Sequence, residues 1–174
     1  MFGFLKRKRK VTPIAGVKSR VRYAPNTKIR YDRNLITVFK DDHKKLLEIY
    51  QRIDIAYGNN DSVVIRRLLR QFKNLLTGHL LRENVSLYAY LKYNLSDDPI
   101  NLELMQSMQR EMGEIGRVVF RFLKKATDQS ARYNEAFKKD FDDIGAALVT
   151  RIQNEERVLY PIYGEPNSSR EPSY

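Results

Sequence analysis

The chain holds two histidines, His43 and His79, and both fall in runs that would set an imidazole on the inner face of a helix. His79 is followed by Glu83 in His79-Leu80-Leu81-Arg82-Glu83. Residues four apart share one helical face, so this pair is able to grip a single cation. His43 lies in Asp41-Asp42-His43-Lys44-Lys45-Leu46-Leu47. Near the C-terminus, Arg151 and Glu155 repeat the four-residue spacing in Arg151-Ile152-Gln153-Asn154-Glu155-Glu156. Imidazole and carboxylate donors suit iron or zinc. A guanidinium repels a cation, yet it replaces one well by taking carboxylates on its planar fork. Two chemistries stay open: a metal site, or a metal-free core in which Arg151 bonds Glu83 or another nearby carboxylate. A buried Glu83 needs one or the other, or a raised pKa.

Four helical patterns position these groups. The first runs from about Asn34 to Tyr57, with the seam Phe39, His43, Leu46, Tyr50, Ile53 and Tyr57 at the four-and-three spacing of a bundle helix. Gly58-Asn59-Asn60 ends it, and Asp61 or Ser62 caps the next. The second runs to about Tyr93, with Ile65, Leu68, Phe72, Leu75, His79, Glu83, Ser86 and Tyr90 inward. The third starts near Pro99, after Asp97-Asp98, with Met105, Met108, Met112, Ile115, Val119 and Phe122 inward. The fourth runs from about Ala131 to Tyr160, with Phe137, Phe141, Ile144, Leu148, Arg151, Glu155 and Leu159 inward, and Pro161 is expected to stop it. Short connections predict an all-α, up-down-up-down four-helix bundle over residues 34–163. The polar side chains on otherwise apolar seams cost free energy unless paired or ligated. The bland reading is that the histidines are hydrogen-bonded core residues, the three methionines core filler, and Tyr160-Pro161 a helix stop.

At 174 residues the chain suits one domain, and no cysteine is present, which excludes disulfides, thiolate zinc sites and iron–sulfur clusters. The net charge of +11 is lopsided: residues 1–33 carry eleven Lys/Arg and one acid, while 34–174 carry 21 basic and 20 acidic side chains. Residues 1–33 therefore read as a basic, extended, mostly disordered arm, and 164–174 as a disordered tail. Phe2, Phe4 and Leu5 followed by Lys6-Arg7-Lys8-Arg9-Lys10 would suit an anionic membrane face, nucleic-acid phosphates, or plain solvation. No Gly-rich phosphate loop, no Glu-x-x-His pair and no nucleophile beside a base is found, so no enzyme is expected. Neither a membrane span nor a leader peptide is expected, and the location reads as cytoplasmic, with a possible peripheral hold on the inner membrane face.

Tyr31-Asp32-x-x-Leu35-Ile36-x-x-Phe39-x-x-Asp42-His43-x-x-Leu46-Leu47 resembles the entry helix of hemerythrin-like cation-binding domains. Leu76-Thr77-Gly78-His79-x3-Glu83 is similar to that family's second-helix ligand pair. Glu111-Met112-Gly113-Glu114-Ile115 resembles the third helix, with Met112 where a histidine is usual. Arg151-x3-Glu155-Glu156-x3-Tyr160-Pro161 resembles the fourth-helix ending, with Arg151 in the histidine place. The resemblance implies His43, His79, Glu83 and Glu156 as ligands of one or two irons, or of zinc. Two histidines cannot fill two iron shells, and Met112 is a soft donor for such a site. The expected cofactor is therefore none, with iron as the alternative. The expected function is a regulatory, protein-binding bundle with a degenerate metal site; the alternative is sensing of oxygen, nitric oxide or redox state through a residual ion. Asp143-Ile144-Gly145-Ala146-Ala147-Leu148-x2-Arg151-x3-Glu155-Glu156 is also similar to the last helix of bacterial regulators that bind the housekeeping sigma factor, which implies an anti-sigma-like role.

Overall fold

Helix α1 (Leu35–Gly58) ends at Asn59, and Asn60 takes a left-handed φ of 55°, which asparagine tolerates better than a branched residue would. Asp61 then caps α2 (Ser62–Arg82), its side chain accepting from the Val64 N–H. A π-helical turn (Glu83–Tyr88) carries α2 straight into α3 (Ala89–Asn94), so the three pieces form one rod. Asp98 caps α4 (Pro99–Ala126), accepting from Asn101 N–H, with Pro99 in the first turn. Asn134 caps α5 (Glu135–Asn154), and a second π-helical turn (Glu155–Leu159) joins it to α6 (Tyr160–Gly164). These boundaries come from a computed structural model that describes residues 23–164. The basic cluster Phe2, Phe4, Leu5 and Lys6 to Lys10 lies outside the described residues, as does the tail after Gly164.

Four rods pack as an up-down-up-down bundle. Asn84 meets Gln109 and Arg66 meets the Gln129 carbonyl, which sets α2 antiparallel to α4. His43 meets Glu155 and Tyr50 stacks on Phe141, which sets α1 antiparallel to α5. The last pair packs so closely that a Cβ at Gly145 would fall onto the Tyr50 hydroxyl, so any larger residue there must displace the Tyr50 ring.

The apolar core is split in two. One cluster holds Leu46, Ile53, Leu68, Phe72, Leu123 and Phe141 among others. The other holds Phe39, Leu87, Leu91, Met105, Leu159 and Tyr160 among others. Each such side chain, removed from water, contributes roughly 1.5–3 kcal/mol. Between the clusters the seams of α1, α2 and α5 turn polar at one level, and there the site sits: His43 between Phe39 and Leu46, His79 between Leu76 and Leu87, Arg151 between Leu148 and Leu159.

Several expectations are corrected. The fourth rod starts at Glu135 and not near Ala131, because the Asn134 side chain supplies the cap. Pro161 does not stop it. The Tyr160 N–H reaches back to the Glu155 carbonyl in the wider π register, and the proline's missing N–H falls in the turn just after. Ser86 is not the inward residue of its turn; the π-helical turn rotates Leu87 and Tyr88 into the core instead. The stretch from Tyr23 to Arg33 is not an extended arm. Tyr23 and Arg30 form an antiparallel bridge, Ala24 is buried, and Tyr31 stacks on Tyr163. The Asp32 N–H donates to the Tyr163 oxygen at 2.9 Å and the Tyr163 hydroxyl donates to the Asp32 carbonyl at 3.0 Å, which ties this segment to the end of the last rod.

Candidate metal centre

His43, His79 and Glu155 offer donor atoms that all lie within 4.8 Å of one another, and all three are buried. They come from α1, α2 and the second π-helical turn. The His43 ring is held at both nitrogens. Nδ1 lies 2.9 Å from Glu156 Oε1 and Nε2 lies 3.2 Å from Glu155 Oε2. Tyr160 places its hydroxyl 3.3 Å from the same Nε2. His79 packs edge-on against Phe39, with Asp42 Oδ2 3.6 Å from its Nδ1. Asp42 is itself held by Arg82. His79 Nδ1 makes no hydrogen bond, whereas the Glu156 carboxylate behind His43 is the arrangement that orients metal-bound histidines.

Arg151 fills the other side of this level. Its Nε donates to Glu155 Oε1 at 2.6 Å and its Nη2 to the Tyr88 hydroxyl at 2.7 Å. Nη1 has no hydrogen-bond partner and lies 3.9 Å from Glu111 Oε2. Glu83 is fully buried, and neither of its oxygens meets a donor among the described residues. Met112 lines the same small cavity, of about 30 Å³, as His43, His79, Arg151 and Glu155.

The electrostatics follow from this packing. Burial, and then the Glu155 charge, push the Glu83 carboxyl well above the usual carboxylate range, so it stays protonated and neutral. Burial works the same way on Glu155, but His43 and Arg151 outweigh it and hold that carboxyl below its ordinary value. Burial alone would lower His43, yet its bonds to Glu155 and Glu156 outweigh burial and raise it. His79 is lowered from 6.5 to about 4, first by burial and then by His43. Arg151 and His43, whose proton is held more tightly than usual, thus face Glu155, while burial favours the neutral forms of Glu83 and His79.

A pH dependence follows. A raised His43 binds its proton more tightly in the fold, so the stability it adds is present below 6.5 and is lost as pH rises through its folded value. Glu83 acts in the same direction, since ionising it in the core is costly. Glu155, lowered, adds stability above 4.5 that is lost as pH falls through its folded value. His79 costs stability as pH falls from 6.5 towards 4, where the unfolded chain binds a proton that the fold refuses. Urea denaturation at several pH values is expected to show stability declining on both sides, with the alkaline decline flattened by His43→Gln.

Sequence reasoning singled out His43, His79, Glu83, Arg151 and Glu155, and the structure brings all five to one level of the bundle. It puts Glu155, not Glu156, with the two imidazoles; Glu156 is 35% exposed and bonds the far side of His43. It also gives Arg151 to Glu155 and Tyr88, and not to Glu83. Tyr88, Asp42, Arg82 and Glu111 were not singled out. Asp42 had a signal in its place beside His43. Tyr88 had none, because a regular helix would not turn both Glu83 and Tyr88 inward.

Fold and site together define a helical bundle with a polar centre built from imidazoles and carboxylates on facing rods. Residues 34–163 match the Hemerythrin HHE cation binding domain, and the chain belongs to that family. No curated protein and no solved structure matches it. Among the described residues, no helix is long and apolar enough to cross a membrane.

The family implies iron. His43, His79 and Glu155, with the two partnerless oxygens of Glu83 nearby, fit a single divalent ion. They do not fit a pair of irons. Only two imidazoles are present, and the fixed charge of Arg151 stands 2.6 Å from the carboxylate a second ion would need.

Proposed function

We propose that this chain is a non-enzymatic member of the hemerythrin family, with a polar core closed by Arg151 where a second metal ion would otherwise stand, and that it works in regulation by binding other proteins. The observation that carries this reading is the Arg151 guanidinium, 3% exposed and bonded to both Glu155 and Tyr88. A buried guanidinium in that geometry supplies the positive charge that the Glu155 carboxylate requires. The polar residues are then structural, and function passes to the surface. Leu81 and Val85, 62% and 59% exposed, stand one turn apart beside a groove of about 530 Å³ between α2 and α4. The anti-sigma-like role is a narrower form of this reading and rests on the last helix alone.

A second reading is favoured by the three clustered donors. His43, His79, Glu155 and Glu83 would hold one ion, with Glu156 orienting the His43 imidazole from behind. Iron held there would supply a redox-active, gas-binding centre. For this, His43 Nε2, 3.2 Å from Glu155, must be free of a proton to bind the ion.

Elemental analysis and visible absorption of the full chain, purified after exposure to ferrous ion, separate these readings. The arginine-closed core predicts fewer than two irons per chain and no oxo-bridged absorption band. Two irons per chain would overturn it, and one would favour the single-ion reading. Protein capture from source lysate should be the same before and after chelation; capture lost on chelation would make the metal, not the scaffold, the working part.

A further inference from the structure

Charge on the bundle is sharply segregated. Residues 62–82 and 115–126 carry nine Lys/Arg and no Asp or Glu, whereas the rest of 34–174 carries 12 basic and 20 acidic side chains. The two basic segments belong to α2 and α4, which pack antiparallel. Within each, three cations follow the same four-and-three spacing: Arg66, Arg70 and Lys73 on α2, and Arg117, Arg121 and Lys124 on α4. That spacing puts each set on one face of its helix. Cations four residues apart stand about 6 Å apart along the axis. The result is two adjacent rows of positive charge.

These cations have few acidic neighbours: the Asp128 charge acts on Arg66, and Asp128 and Asp140 line a groove with Arg121 and Lys124. Arg66 donates to the Gln129 carbonyl, and Arg117 lies 3.9 Å from an exposed Glu114. Arg70, Lys73, Arg121 and Lys124 make no ion pair with a described residue. Like charges held in facing rows repel, and an external polyanion relieves that cost.

From this arrangement we infer that the α2–α4 face binds the phosphate backbone of nucleic acid. Four of the six cations are arginines, whose fork pairs with phosphate oxygens in bidentate fashion. Their regular pitch suits a repeating anion better than the mixed, apolar-centred surface of a protein partner. A membrane face would call for aromatic anchors among the cations; the strongly exposed apolar residues here, Val63, Val118 and the pair Leu81 and Val85, are aliphatic and lie outside the rows. Base edges have no evident reader, so the contact is independent of sequence.

The test is fluorescence anisotropy of a labelled duplex of roughly 20 base pairs with the full chain, whose N-terminal residues add their own positive charge. Six phosphate contacts predict a loss of about a thousandfold in affinity between 50 and 200 mM salt. Arg70→Glu with Arg121→Glu is expected to weaken binding at least tenfold and to flatten the salt slope. The milder Arg70→Gln with Arg121→Gln should show the same direction, and circular dichroism checks that both variants stay helical. Unchanged affinity in both folded variants overturns the inference and leaves any binding to the N-terminal residues. Binding to phosphatidylglycerol vesicles without binding to the duplex overturns it in favour of a lipid surface.

Discussion

Arg151→Met is expected to cost about 3–5 kcal/mol of folding stability, the range for removing one partner of a buried ion pair. The side chain keeps its bulk, so the loss is electrostatic. Glu155 would keep its 3.2 Å contact to His43 but lose the 2.6 Å bond from Nε. The Tyr88 hydroxyl would lose its partner as well. For a domain with a total stability of about 5–15 kcal/mol, this is a fifth or more of the whole. The double variant Arg151→Met with Glu155→Gln should recover much of the loss, since it removes the stranded charge along with its counter-charge. Glu83→Gln should be close to neutral, because the Glu83 carboxyl already holds its proton. Urea unfolding followed by far-ultraviolet circular dichroism measures all three. A loss below about 1 kcal/mol for Arg151→Met would mean that the guanidinium is not what neutralises the core.

The architecture was legible because each rod carries a long apolar seam, and a long seam leaves little choice of helix face. Phe39, Leu46 and Ile53 on α1 and Phe141, Ile144 and Leu148 on α5 all face inward as their spacing requires. The polar level was legible for the same reason: His43, His79, Glu83, Arg151 and Glu155 interrupt seams that are apolar above and below. The finer geometry was not, and one cause explains most of it. Both π-helical turns begin at an inward glutamate, Glu83 and Glu155. Each adds a residue to its turn and so shifts the helix face beyond it. A constant helical period therefore points Ser86 inward where Leu87 and Tyr88 lie, and stops a helix at Pro161 that the wider turn lets pass. Such turns gather at functional sites because they re-aim side chains without breaking the rod. The seam spacing placed Glu155 inward, whereas the family resemblance implied Glu156 as the ligand; the structure follows the seam.

Met112→His combined with Arg151→His is expected to turn the core into a metal-dependent one. Both positions line the small cavity that His43, His79 and Glu155 share, so two more imidazoles would face the existing donors from α4 and α5. Without metal, the double variant should be less stable than the native chain, because the charge opposite Glu155 is gone. With zinc, a redox-silent probe that accepts imidazole and carboxylate, stability should rise by about 2.7 kcal/mol at a free concentration a hundred times the dissociation constant. Met112→His alone keeps the guanidinium and should respond little, since a fixed cation still stands beside the shared carboxylate. Thermal unfolding with and without zinc, and after chelation, distinguishes the cases. A double variant indifferent to zinc would show that geometry, and not the arginine's charge, keeps a full site from forming. A native chain stabilised as strongly as the double variant would show that His43, His79, Glu155 and Glu83 already suffice for an ion beside Arg151.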